Sequence, residues 1–181
     1  NVVIVGDQKQ LPHIVTQEIA LTIHDVFNHY TLLKYYHYEY SLLASTSNLF
    51  KEAPKTLLKE HYRCHPQIID FCNKKFYNNE LIILSKAKDA EKPLILINTA
   101  EGNHARGQYN QRQIDVIQNE ILPHVNATNV GIISPFRKQV TKLHNFIAQD
   151  SGIEIDTVHK YQGREKDVII ITTVVDEENE F

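Results

Sequence analysis

This 181-residue sequence predicts an α/β fold with a mostly parallel sheet, on three observations. Val168-Ile169-Ile170-Ile171-Thr172-Thr173-Val174-Val175 is a β-branched run of the kind buried on both faces of a parallel sheet. From Thr56 onward, such runs alternate with segments whose apolar residues recur at helical spacing. Polar residues gather at the strand ends: "TVHKYQGRE" (157–165) leads into the long run, and packing a core requires none of its polar groups.

The elements follow in order. "NVVIVGD" predicts a short buried strand ending at Gly6-Asp7. Residues 16–30 predict a helix, with Ile19, Ile23, Val26 and Phe27 on one face, Thr16 as N-cap and Glu18 close behind. "YYHYEYSLLASTSNLF" predicts a loop and then a short helix over 41–50. "TLLKEHYR" reads as a strand entering a loop, and Pro66 opens a helix to about Tyr77 with Ile69, Cys72 and Phe76 inward. "PLILIN" predicts a buried strand, "NHARGQYNQ" a polar loop, and Ile114, Ile117, Ile121 and Val125 a helical stripe. "NVGIIS" is the next strand, followed by a helix with Val140, Leu143, Phe146 and Ile147 inward. "IEIDTV" and "DVIIITTVV" complete the sheet, and "DEENEF" is an acidic tail.

Composition narrows the classes. The chain is 42% hydrophobic and 23% charged, as in ordinary globular proteins. No run reaches the roughly 18 apolar residues of a membrane span, and no secretory h-region opens the chain. Cys64 and Cys72 are too few for a disulfide framework, which points to a reducing, cytoplasmic setting. A net charge of −3 leaves any nucleic-acid contact to local patches. The sequence has no Met and starts inside an apolar run, which reads as a piece of a longer polypeptide.

Three stretches carry chemistry, each at the carboxyl end of an expected strand, where ligands of open α/β sheets bind: "GDQKQLP" (6–12), "HYRCHP" (61–66) and "TVHKYQGRE" (157–165). Together, in this order, they resemble the superfamily 1 helicases, in particular the branch of the nonsense-mediated-decay RNA helicase and its bacterial relatives. "VVIVGDQKQLP" is similar to motif III, "LLKEHYRCHPQIIDFCNKKFYNNEL" to motif IV and "IDTVHKYQGREKDVII" to motif V. "GIISPFRKQV" matches a recurrent segment between motifs IV and V.

The resemblance implies a RecA-like, P-loop NTPase-type three-layer sandwich, here the second helicase domain. Residues 1–12 would end the first RecA-like domain, 13–55 would form a helical and aromatic connector, and 56–181 the second domain. It implies ATP and Mg²⁺ as cofactors, with Mg²⁺ ligands on a first RecA-like domain outside this chain. The implied partners are that domain and single-stranded nucleic acid moved 5′ to 3′, with no membrane. Motif wording of bacterial flavour tilts the strand towards DNA.

The residue types suit these roles. Phosphoryl transfer needs charge stabilisation at the γ-phosphate and a positioned water. Arg63 offers a planar, permanently charged fork, and Gln10 an amide that can donate to a γ-phosphate or the attacking water. From motif V, Gly163 and Glu165 are implied on the nucleotide side. Thr157 and His159 can hydrogen-bond phosphate oxygens without reading sequence. As alternate residues of one extended segment, their side chains would point the same way. Ser134 and Phe136 are implied beside them, Phe136 as a stacking platform. Packing on the sheet is the plain alternative for Phe136, and an ion pair with Arg164 or Lys166 the plain alternative for Glu165.

His61, Cys64, His65 and Cys72 suggest zinc, but Cys72 falls on an apolar helical stripe and no second close pair completes a tetrahedron, so no metal site is expected. None of the six glycines is followed by Lys, so the phosphate-cradling G-x-x-x-x-G-K-[ST] is absent. No Asp-Glu pair precedes Gly6, and no motif VI arginine segment follows motif V. This polypeptide alone is therefore expected not to hydrolyse ATP. The competing classes are a non-catalytic nucleic-acid-binding or regulatory RecA-like module and a metal-dependent nuclease or zinc-binding α/β domain.

Overall fold

A computed structural model describes residues 2–30, 38–87, 92–102, 104–126, 128–147 and 151–176. They fall into two units, Asn1–Ile95 and Leu96–Phe181.

In the first unit, α1 (Gln17–His29) starts where Thr16 Oγ1 accepts the Ile19 N–H at 3.4 Å, with Glu18 at the positive helix end. Ser41 caps α2 (Leu42–Leu49) in the same way, accepting from Ala44 N at 3.2 Å. β1 (Glu60–His61) pairs in parallel with β2 (Ile82–Ile83), and α3 (Pro66–Phe76) connects them. Buried Asn73 fixes the return by exchanging hydrogen bonds with the backbone of Leu81, at 3.0 and 3.2 Å. Asn78 and Asn79 make the turn at φ 52 and 61, a conformation asparagine tolerates better than most residues.

Two expected strands are absent. Residues 2–6 have no ladder partner among the described residues, and Val2, Val3 and Val5 are 83–88% exposed. "PLILIN" (93–98) also lacks regular structure, with Leu94 to Ile97 exposed. An apolar β-branched run becomes a strand only when a neighbour satisfies its backbone, which periodicity does not reveal. Residues 35–37 of the expected loop, and all but Asp176 of the acidic tail, lie outside the described residues.

The second unit carries the expected parallel sheet, in the order β4 (Glu154–Thr157), β3 (Val130–Ser134), β5 (Val168–Ile171). α4 (Gln111–Val116) continues as a π turn (Ile117–Ile121) and a 3₁₀ turn (Leu122–His124). α5 (Arg137–Phe146) follows β3, and the single turn α6 (Val158–Tyr161) follows β4. Register places Ile132 beside both Ile155 and Ile170. That row packs with Ile114 and Ile117 of the α4 segment and Val140 and Leu143 of α5 to form the core.

β5 departs from expectation twice. It is covered on one face: Ile170 is buried, while Ile169 and Ile171 are 39% and 67% exposed. It also ends at Ile171, because Val174 turns the backbone at φ 72.

On the face opposite α4 and α5, Tyr161 lies over Gly131. A Cβ at Gly131 would sit 2.7 Å from Tyr161 Cζ and 3.1 Å from Lys166 Cγ, and closer still to the Tyr161 hydroxyl. Gly131→Ala should therefore destabilise the protein by about 1–3 kcal/mol through overpacking. The Tyr161 hydroxyl is buried with no hydrogen-bond partner among the described residues, so Tyr161→Phe should cost nothing and should recover part of the Gly131→Ala loss. Urea midpoints of the two single variants and the double variant check this.

Candidate nucleotide and nucleic-acid site

In the first unit the loop 7–10 is organised by one carboxylate. Asp7 Oδ1 accepts the Lys9 N–H at 2.8 Å, and Oδ2 accepts from Gln10 Nε2 at 3.4 Å and from the Tyr77 hydroxyl. Asp7 thus ties the exposed Gln10 amide to the end of α3. Burial first, then the Asp7 hydrogen bond, pushes the Tyr77 phenol up to about 12. The neutral phenol is favoured in the fold, so this stabilisation is complete below the ordinary tyrosine range and is lost as pH rises towards 12.

Arg63 stands exposed on the loop from β1 to α3. His61 closes that loop: its Nε2 lies 3.1 Å from the Cys64 N–H and 3.2 Å from Cys64 Sγ. Burial pushes the Cys64 thiol up, away from the reactive thiolate. His65 caps α3, its Nδ1 accepting from Gln67 N at 3.2 Å. These neighbours of Arg63 thus spend themselves on loop geometry. Among the described residues no group of three or more His, Cys, Asp or Glu could hold a metal ion.

In the second unit parallel pairing sets Ser134 opposite Thr157, so the loops leaving β3 and β4 emerge side by side. Ser134 is fully buried, and its Oγ accepts the Phe136 N–H at 3.3 Å, shaping the turn into α5. Half-buried Phe136 is the N-cap residue of α5. Thr157 is the N-cap residue of α6, and its side chain makes no capping hydrogen bond. His159 is exposed in the first turn of that helix. The expected alternation of Thr157 and His159 along one extended segment does not occur, because the chain enters a helical turn directly after Thr157.

Gly163 turns the backbone at φ 82 with open space where a Cβ would stand, so it serves the bend and not a close protein contact. Arg164 and Lys166, on either side of the exposed Glu165, both reach back to Glu154, at 3.3 and 2.7 Å. Lys166 also donates to Asn129 at 2.8 Å, and Arg164 lies 5.6 Å from the Tyr161 ring centroid. The Lys166 hydrogen bond, and then Arg164, hold the Glu154 carboxyl below its ordinary range. A depressed carboxyl stabilises the fold above the ordinary glutamate pKa of about 4.3 and loses that effect as pH falls. The protection factors of the amides of residues 162–166 should fall as pH drops through the carboxylate range in the wild type, whereas a Glu154→Gln variant should lack that transition.

Sequence reasoning missed a buried amide network at the carboxyl end of this sheet. Gln139 Oε1 accepts from Asn110 N at 2.9 Å, and its Nε2 donates to Thr172 Oγ1 at 2.9 Å. Gln113 Oε1 accepts from the Thr172 hydroxyl at 2.5 Å and from Val174 N at 3.0 Å, while Asn110 Nδ2 donates to Val174 O at 3.2 Å. Both backbone groups of Val174 are thus held, which sustains a left-handed β-branched residue.

A family model described as an AAA domain matches residues 38–180. DNA polymerase alpha-associated DNA helicase A of Saccharomyces cerevisiae is 27% identical over 96% of this chain and 29% of its own length. Helicase sen1 of Schizosaccharomyces pombe is 27% identical over 95% of the chain and 11% of its own length. The Drosophila melanogaster protein named "Probable RNA helicase armi" is 29% identical over 96% of the chain and 17% of its own length. The chain thus spans less than a third of each relative. With parallel strands in each sheet and the family match over most of its length, the chain has a RecA-like fold and belongs to the AAA-domain family, among the superfamily 1 helicases.

Proposed function

We propose that this chain supplies half of the ATP cleft and part of the single-strand track of an ATP-dependent helicase or translocase. The observation that carries the reading is the β3–β4 register, which sets the loop holding Phe136 beside the start of motif V at Thr157. In this account residues 1–12 end a first RecA-like domain, 13–55 connect, and 56–181 form the second. The setting is a reducing cytoplasm, in keeping with free Cys64 and Cys72.

The donor set fits part of an ATP site: the Gln10 amide held by Asp7 and the exposed Arg63 guanidinium suit γ-phosphate oxygens. Bound ATP with Mg²⁺ would supply the phosphoanhydride whose hydrolysis drives movement. Arg63 neutralises charge on the γ-phosphate oxygens, and Gln10 orients the group it donates to. Gly163 bends the loop that presents Glu165 to the nucleotide. On the strand side, Thr157 and His159 hold backbone phosphates, Phe136 offers a ring face, and Ser134 positions Phe136 from beneath. The proposed strand is DNA; the relatives' printed names include both a DNA and an RNA helicase.

Separate titrations of ATP and of single-stranded DNA or RNA against variants of the full-length protein test this division. Thr157→Ala with His159→Ala should raise the strand concentration for half-maximal ATPase about ten-fold and leave ATP affinity nearly unchanged, at roughly 0.7 kcal/mol for each of the two hydrogen bonds removed. Glu165→Ala should impair nucleotide use and spare strand binding measured without nucleotide. Equal losses on both axes in both variants would make motif V a packing element.

A further inference from the structure

The loop before α4 carries a second basic feature that the site above does not use. Lys138 and Lys142 stand one turn apart on α5, and their ammonium groups lie 5.2 and 5.0 Å from the ring centroid of Tyr109. Among the described residues neither lysine has a carboxylate partner. α5 itself contains no acidic residue. Two like charges brought to one ring repel each other; the ring face offsets part of that at roughly 0.5–1 kcal/mol per exposed cation. An anion between or beside them would complete the arrangement.

The placement is built rather than incidental. Ala105 and Asn110 form an antiparallel bridge, and Arg106 N donates to Tyr109 O at 2.7 Å. Asp176 Oδ2 accepts the backbone N–H groups of His104 and Ala105 at 2.8 and 2.7 Å. At the other end of the hairpin, Asn110 N donates to Gln139, which sits on the same helix as the two lysines. Tyr109 packs against the core, so ring and helix are held in fixed relation. Gly107, at φ 63, turns the hairpin beside Lys138, whose Nζ would lie 4.0 Å from a Cβ there.

We propose that Tyr109, Lys138 and Lys142 form a phosphate-binding point for single-stranded nucleic acid that continues the track past Phe136. The ring is occupied by the two cations, so it fixes them in place instead of stacking a base, and the contact is blind to sequence. Location favours a nucleic-acid strand over an acidic protein: Lys138 lies two residues beyond Phe136, at the end of α5 nearest the carboxyl edge of the sheet. The inference rests on the strand-track reading for its partner.

The test is the salt dependence of single-strand affinity in the full-length protein without nucleotide. Removing both charges in K138Q/K142Q should weaken binding about ten-fold at low salt. It should also flatten the slope of log K against log salt by roughly 0.7 for each phosphate no longer neutralised. K138R/K142R should keep both slope and affinity, and Tyr109→Phe, which keeps the ring, should behave as wild type. If K138Q/K142Q binds with the wild-type slope while Thr157→Ala with His159→Ala weakens binding, this inference fails and the track reading stands. If the wild-type protein binds no single strand, both fall. Equal weakening by K138R/K142R and K138Q/K142Q would assign the lysines to packing and overturn the phosphate-binding role.

Discussion

Arg63→Ala in the full-length protein should lower ATP turnover by about 10³-fold, roughly 4 kcal/mol of transition-state stabilisation, while strand affinity stays near wild type. The side chain stands exposed on a loop whose shape is set by the His61–Cys64 contacts. Arg63→Lys should rescue little, because a point charge cannot reproduce a bidentate planar fork. Steady-state ATPase and strand titrations on the same preparations check both statements. Turnover within a few-fold of wild type in Arg63→Ala would make Arg63 a surface charge.

Gln139→Leu should be the most damaging polar-to-apolar change in the second unit, at about 3 kcal/mol. The leucine fills much of the space but leaves the buried Asn110 N–H without its acceptor and removes the donor to Thr172. The effect should spread to Val174, whose left-handed turn depends on Asn110 and Gln113 holding its backbone. Gln108→Leu, on an exposed part of the preceding loop, should change stability by no more than about 0.5 kcal/mol. Urea unfolding of the two variants separates the predictions, and equal midpoints would show that the network carries no stability of its own.

The helices were legible because their signals are local. Thr16, Ser41 and Pro66 start helices where their capping or N1 chemistry places them, and Ile114, Val140 and Leu143 face the core as their spacing demands. Strands depend on neighbours distant in sequence. "NVGIIS" and "DVIIITTVV" pair with each other, whereas residues 2–6 and 93–98, equally apolar, find no partner among the described residues. The one-sided burial of β5 was hidden for the same reason: composition cannot say which face a helix covers.

Within the site, motif order announced Gln10, Arg63, Thr157 and Glu165 as candidates, but the short helix after Thr157 altered the direction of His159, and Ser134, expected at the strand, is fully buried with its Oγ on the Phe136 N–H. The amide network escaped because Asn and Gln ordinarily face solvent. Gln139 directly precedes the core residue Val140 and sits beside the charged Lys138, so nothing in its own sequence context marks it as fully buried. Tyr109 was likewise read as part of a polar loop, its two lysines lying 29 and 33 residues away in sequence.

The central claim is that this chain couples nucleotide use to a nucleic-acid strand, and ATP hydrolysis by the full-length protein across a titration of single-stranded DNA or RNA measures that directly. The account predicts turnover that rises with strand concentration to a plateau, with the Thr157→Ala, His159→Ala variant reaching the same plateau at about ten-fold higher strand concentration. Turnover indifferent to the strand, or a strand response that the motif V variant leaves unmoved, would contradict it.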